Sequence, residues 1–410
     1  MSGAPRDADE PLADDPFSLA VMAPPAVEAL LPADIERYVE AARIAELARR
    51  GAGAAATLQA YRADWGVFIR WCATRGKTPL PADGISVAQY IRYLIDRPRR
   101  TVVERYQRPD GRMVQRERRE GPATTATVRR HIVSIRKAHV LSGFIDPTSS
   151  SECKLVWKGI RRERGTKPTH QKAAVDKHKL LHAVRAIGDA HVAAAVAQLQ
   201  RKLVGAPLSD ALARLASGEL VELSAARAAQ LQRLRDHALL LLGWSGALRR
   251  GELAGVAMEH VGEEERGLHI DLPRSKTNQE GEEEYVLIHR AQDPAFCAVR
   301  AIAAWRAALA TLGIEGGPLF RRVDRHGRVL GAIQGAVVNV IVKRSALAAG
   351  LDATLFGAHS LRSGWITTGV QEGRREEAMM QHSRHLSIAV FRGYVRRAAK
   401  WDDHPGLGLL

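Results

Sequence analysis

His359-Ser360-Leu361-Arg362-Ser363-Gly364, followed by His385 and, nine residues on, by Tyr394, is the stretch from which the rest of the chain can be read. It gathers a phenol, two imidazoles and a guanidinium, the groups needed to break a phosphodiester by covalent catalysis. A phenol is a poor nucleophile at neutral pH, with a pKa of about 10. It must lose its proton as it attacks, and the charge growing on the phosphoryl oxygens must meet fixed donors. Arg362 and the two histidines could supply both functions. On a helix, residues i and i+3 share a face, so His359 and Arg362 can point at one phosphate, with backbone N–H groups of Ser360 and Leu361 near the helix start. Ile388, Phe391 and Val395 recur at helical spacing and would anchor a segment that leaves Tyr394 at its edge.

Two further motifs lie upstream. Gly246-Ala247-Leu248-Arg249-Arg250-Gly251-Glu252-Leu253 places an arginine in a Gly-rich turn with a glutamate three residues later. Pro273-Arg274-Ser275-Lys276-Thr277 places a lysine between two stretches of period-two hydrophobicity, Leu268 to Leu272 and Glu284 to Ile288, which reads as a hairpin with Lys276 near its tip. Taken in order, the series resembles the catalytic region of the tyrosine recombinase, or phage integrase, family. There an Arg in a Gly-Leu-Arg-x-x-Glu-Leu turn and a hairpin Lys precede His-x-x-Arg, a His or Trp, and a Tyr nine residues further. The match departs in one place, since Ala247 stands as an apparent insertion before Leu248. Five ordered elements over roughly 150 residues are specific where a lone His-x-x-Arg would not be. The resemblance covers about residues 50 to 400.

Bulk properties agree with a DNA-handling protein. The chain has 410 residues, enough for two domains with their own cores, and a net charge of +16 with a pI near 10.2. Such charge favours a polyanion, though by itself it leaves nucleic acid, anionic membrane and solubility open. No apolar run reaches the ~18 residues a bilayer span needs. Five acidic residues and one arginine in the first twenty positions are unlike a secretory signal, so a cytoplasmic location is expected. Cys72, Cys153 and Cys297 lie far apart with no CxxC pair, so neither a disulfide framework nor a zinc site is indicated.

The predicted organisation is mainly α. Residues 1–32, rich in Ala, Pro and Asp, read as a disordered acidic tail. Residues 33–160 read as a helical domain. Its helices start at Ala33, run from Thr57 (as N-cap) to Thr74 and from Val87 to Ile95, and end with Ala126 to Leu141, capped by Thr124 or Thr125. Tyr61, Trp65, Phe68, Ile69 and Cys72 form a core stripe. Between the third and fourth helices, Arg97 to Arg119 holds nine arginines against Glu104, Asp110 and Glu117. Pro109-Asp110-Gly111 allows a short hairpin there, and the segment is either a solvated loop or one that follows the backbone or groove of DNA through Arg97, Arg99 and Arg100. Residues 161–172, with Arg161, Arg162 and Lys167, read as a basic interdomain linker. Residues 173–400 form a mostly helical second domain with a small antiparallel sheet, followed by a C-terminal tail, 401–410. Its helices are expected at Lys177 to Ile187, Ala190 to Leu203, Asp236 to Trp244, Ala295 to Leu312 and Gly335 to Ala348, with Pro207 to Leu231 as extra helical material.

The resemblance implies that 33–160 is a core-binding domain clamping DNA and 173–400 a catalytic domain. It implies that Tyr394 is the nucleophile, Arg249 and Arg362 hold the phosphate, Lys276 protonates the departing 5′ oxygen, His359 moves the proton of Tyr394 and His385 bonds the phosphate. Glu252 would orient Arg249 or His359 and not itself react. The product would be a 3′-phosphotyrosyl enzyme, whose retained ester energy makes ATP and metal unnecessary. A phosphate-binding Gly-x-x-x-x-Gly-Lys loop and an acidic metal cluster are both missing from the sequence. Exchange of all strands of two duplexes would take four active sites, hence a homotetramer assembled on double-stranded DNA. The expected function is site-specific DNA recombination or integration. A type IB topoisomerase, a non-catalytic DNA-binding relative and a helical interaction module unrelated to DNA are the alternatives.

Overall fold

The computed structural model describes residues 55–98, 100–107, 113–166, 172–272 and 284–398. The expected tails, the helix from Ala33, the Pro109-Asp110-Gly111 turn, Arg99, Lys167 and Lys276 lie outside them. The chain divides into two compact units between His170 and Gln171. Both are mainly helical, with small antiparallel sheets.

In the first unit, α1 (Ala55–Ala73) buries Trp65, Phe68, Trp71 and Cys72 on one face. Thr57 falls inside this helix, so it is not the expected N-cap. α2 (Gly84–Asp96) starts at Asp83, whose carboxylate accepts the Ser86 N–H at 2.7 Å, a side-chain cap that satisfies one of the free donors of the first turn. Tyr90 of α2 meets Phe68 edge-on with ring centroids 4.9 Å apart. The strands β1 (Arg100–Gln107) and β2 (Met113–Glu120) then pair antiparallel, Arg100 opposite Glu120 and Gln107 opposite Met113. α3 (Thr125–Leu141) is capped by Thr124, as expected.

The linker reading of Arg161 and Arg162 is corrected. Both belong to α4 (Ser151–Arg164), which starts at the Ser150 cap and buries Cys153 and Ile160. Its apolar stripe is thin, and charge dominates its sequence. Arg161, Arg162 and Arg164 occupy the last turn, where cations complement the helix dipole, and Gly165 at φ 71° ends it.

The second unit is built on α5 (Lys177–Lys202), one 26-residue helix where two were expected. Gly188 does not break it, because Ile187, His191, Ala195 and Leu199 are buried on either side. α5 is long and apolar enough to cross a membrane, yet it packs against later helices of the unit. α6 (Gly205–Ser217) covers a satellite cluster around Ala195, Leu199, Val221 and Ala226. α7 (Ser224–Ser245) carries Ala238 to Leu242 through the main core and ends at the turn before α8 (Arg250–Gly255).

β3 (Val261–Glu264), β4 (Gly267–Asp271) and β5 (Tyr285–His289) form a meander in which Val261 pairs with Ile270 and Ile270 with Val286. The expected hairpin is its β4–β5 part, and β3 is additional. α9 (Ala298–Ala310) follows, then a second small ribbon, β6 (Arg321–Val323) with β7 (Val329–Ala332), then α10 (Gly335–Ala348). The chain closes with α11 (His359–Gln371), α12 (Glu376–Ser383) and α13 (Ile388–Ala398). Gly364 lets α11 approach the Val175 carbonyl, which also accepts the Trp244 indole N–H at 2.9 Å, and the Ser360 carbonyl accepts the Val175 N–H at 2.9 Å. These contacts set the start of α11 against the end of α7. α13 is anchored by Phe391 among Ile366 and Met379, with Val395 partly buried, whereas Ile388 of the expected stripe is half-exposed.

Candidate active site

The turn between α7 and α8 is shaped by Ala247. This residue takes φ 44°, a left-handed conformation normally left to glycine, and is fully buried. The apparent insertion is therefore a strained turn whose carbonyl faces inward and accepts Arg362 Nη1 at 2.8 Å. Arg249 sits at the N-cap of α8. Glu252, at the third helical position, reaches back to accept the Arg249 N–H at 2.8 Å, the reciprocal half of a capping box. Its other oxygen accepts Arg249 Nη1 at 2.6 Å. Burial pushes the Glu252 carboxyl up, but Arg384 and the bonds from Arg249 outweigh it and hold the group below the usual carboxylate range. Glu252 is thus an anionic bracket that orients Arg249.

Arg362 lies one helical turn into α11 and is almost wholly buried. Its Nη2 faces His385 at 3.3 Å. Burial, and then the positive charges of Arg249 and Arg384, lower its pKa to about 9. These contacts leave part of its fork of five N–H donors for an oxyanion. His385, in the connection between α12 and α13, is lowered to about 4 by burial and then by Arg362 and Arg249, so it is neutral at pH 7. Ser383 Oγ lies 2.8 Å from its Nδ1. At the exposed rim, His359 Nε2 stands 2.8 Å from the Tyr394 hydroxyl. The His385 and Tyr394 rings are 5.5 Å apart by centroid, so the start of α11, one short loop and the middle of α13 hold all four groups.

Arg249, His359, Arg362, His385 and Tyr394 therefore come together, with Glu252 behind Arg249. Lys276 falls outside the described residues, between Asp271 of β4 and Tyr285 of β5. The expected DNA-contact residues that are described belong to the first unit. Arg97 donates to the Gly121 carbonyl at 2.7 Å, Arg161 lies over Trp157 at 5.7 Å, Arg162 is exposed, and Arg100 is paired in β1. His382, three residues from the motif histidine, bonds the Ser245 carbonyl at 2.8 Å and stacks on Trp365, a packing role.

Sequence reasoning missed Arg384, a buried arginine whose side chain bonds Glu252 at 2.8 Å. An arginine beside two histidines in a basic chain carries no sequence signal that it is inside. Among the described residues no group of three or more His, Cys, Asp or Glu could hold a metal ion.

No family model matches the chain. It is similar to a curated protein of Selenomonas ruminantium named integrase/recombinase XerD homolog, 29% identical over 352 residues, covering 85% of this chain and 83% of the relative. Among solved structures it is similar to a lambda integrase dimer bound to a core site, with 13% identity, TM-score 0.47, and coverage of 90% of this chain and 79% of that one. It is also similar to the Tn1549 transposon integrase in complex with transposon right end DNA, with 13% identity, TM-score 0.47, and coverage of 85% and 92%. The ordered motif and the likeness to the XerD homologue along most of both chains agree, and the chain is similar to the tyrosine recombinase, or phage integrase, family.

Proposed function

We propose that the protein is a site-specific DNA recombinase that cleaves and rejoins strands through a 3′-phosphotyrosyl intermediate. The observation that carries this is the 2.8 Å approach of His359 Nε2 to the Tyr394 hydroxyl beside two arginines. In the proposed step His359 accepts the phenolic proton as Tyr394 oxygen attacks phosphorus. The bond from phosphorus to the 5′ oxygen breaks, and Lys276 donates the proton that the leaving oxygen needs. Arg249, Arg362 and His385 meet the charge that gathers on the nonbridging oxygens. Attack by a 5′-hydroxyl from another strand reverses the step, so neither ATP nor metal is required in this scheme. Double-stranded DNA is the partner, and we place the working assembly as a homotetramer on two sites, in the cytoplasm. Arg97, Arg99, Arg100, Arg161, Arg162 and Lys167 are proposed as backbone contacts of the first unit and linker, consistent with the charge of +16.

The test is a nicked suicide duplex carrying the site recovered by sequencing DNA from covalent complexes. The native protein should accumulate a detergent-resistant adduct and Tyr394→Phe none, with DNA binding retained. Chelator should change neither result. Adduct persisting in Tyr394→Phe would sink the reading, and adduct formed equally on unrelated duplexes would favour topoisomerase chemistry.

A further inference from the structure

Arg384 closes α12 at φ 55° and ψ 50°, a left-handed position where glycine is the easy choice. It is 7% exposed. A long cationic side chain buried at a strained turn needs partners, and here they join two parts of the site. Nη1 donates to the His382 carbonyl at 2.8 Å and Nη2 to Glu252 Oε2 at 2.8 Å, with the Gly246 carbonyl 3.4 Å away. The Arg384 carbonyl in turn accepts Arg249 Nη2 at 2.8 Å. A ring is closed: Arg249 to Glu252, Glu252 to Arg384 side chain, Arg384 backbone to Arg249. Its Nε makes no hydrogen bond and lies 4.0 Å from Glu284, which leads into β5 from the segment that contains Lys276.

We infer that Arg384 is a positioning residue: its guanidinium clamps Glu252 and, through it, fixes the Arg249 fork against the loop that carries His385. The inference rests on reading the site as a strand-cleaving one. Arg384 does not itself meet phosphate, because its side chain is 5% exposed, against 21% for that of Arg249. Its effect belongs to Arg249, whose two terminal nitrogens are both held by the ring, one by Glu252 and one by the Arg384 carbonyl. Removing the Arg384 side chain keeps the carbonyl but leaves Glu252 buried with one charged partner fewer. The carboxylate can then turn or take up a proton, and Arg249 loses its fixed aim.

The experiment compares the native protein with Arg384→Gly, Arg384→Lys, Glu252→Gln and the Glu252→Gln/Arg384→Gly double variant. Single-turnover adduct formation on the suicide duplex at saturating DNA is measured separately from DNA affinity, with thermal unfolding as the folding control. Loss of one charged hydrogen bond predicts that Arg384→Gly slows adduct formation by about 10- to 100-fold while affinity changes by less than about 3-fold. Arg384→Lys should recover part of the rate, since it returns a cation to Glu252. In the Glu252→Gln background, Arg384→Gly should add less than about 3-fold, as expected of groups acting through one path. Native cleavage by a folded Arg384→Gly, losses that multiply in full, or a loss confined to affinity would overturn the inference. If Arg384→Gly does not fold, Arg384→Lys carries the same measurements: a slowed rate at unchanged affinity that adds little to Glu252→Gln upholds the clamp, and a native rate overturns it. If the native protein itself forms no Tyr394-dependent adduct, the strand-cleavage reading falls, and a crystal structure of the variant decides the clamp alone. Arg249 displaced from Glu252 supports it, and Arg249 unmoved overturns it.

Discussion

Of three clustered guanidinium groups, those of Arg249 and Arg384 hydrogen-bond the Glu252 carboxylate, while that of Arg362 is attracted to it only through space. Three positive charges against Glu252 and the more distant Glu284 still leave a local excess that burial makes costly, and the depressed pKa of Arg362 is its symptom. An oxyanion relieves that cost, so sulfate should raise the melting temperature more than chloride at equal ionic strength. At ten times its Kd the gain would be about 1.4 kcal/mol. Arg362→Ala should abolish the difference, and equal melting in both salts would contradict the charge argument. Arg249, His359, Arg362, His385 and Tyr394 were legible in the sequence because chemistry restricts which side chains can do each task and in what order they fall. Arg384 was not, because clamping a carboxylate leaves no spacing rule behind, and the left-handed turn that turns it inward is a property of the backbone.

Helices carry these residues into place, and close approach at glycine is what allows it. A Cβ on Gly364 would fall far inside van der Waals contact distance of the Val175 carbonyl oxygen, while nothing lies within 4 Å of one on Gly188. Both glycines are in helix interiors, so propensity alone favours alanine at each by about 1 kcal/mol. Gly188→Ala should realise that gain as a higher melting temperature. Gly364→Ala should instead destabilise by about 1–3 kcal/mol, because overpacking pushes α11 off Val175 and breaks the Trp244 bond. Equal effects on denaturant midpoints would mean that α11 is not held by this contact. The long periodic elements were legible for the same physical reason: α10 and α3 declare one apolar face each. α4 was hidden because only Cys153 and Ile160 are fully buried on it, and its arginine-rich end resembles a linker. β3, β6 and β7 are three or four residues long and mostly solvent-facing, too short for a period of two to register.

At the scale of the whole molecule, five histidines are kept neutral by burial within one unit or the other. Burial lowers His131 and His385 to about 4 and also lowers His139, His237 and His382. His131 stays low although Asp64 is 3.4 Å from its Nε2, because desolvation outweighs the attraction, and its Nδ1 can accept the Tyr90 hydroxyl at 3.0 Å. An unfolded histidine titrates near 6.5. Below that pH the unfolded chain binds protons that the folded chain refuses, so stability falls as pH falls, by up to about 1.4 kcal/mol per pH unit for each fully contrasting group. The full contribution is present above pH 6.5 and is lost as pH drops toward 4. Glu252 and Asp83, held below their usual values, add loss of the same sign only at lower pH, as they protonate. His131 and His139 lie in the first unit, and His237, His382 and His385 in the second. Calorimetry should therefore show the melting of both units dropping between pH 6.5 and 5, before the carboxylates titrate. His131→Phe should flatten that early drop for the first unit alone, even if its loss of the Asp64 and Tyr90 contacts lowers stability at pH 7. Melting temperatures that hold constant down to pH 5 would mean that these histidines take up protons within the folded chain.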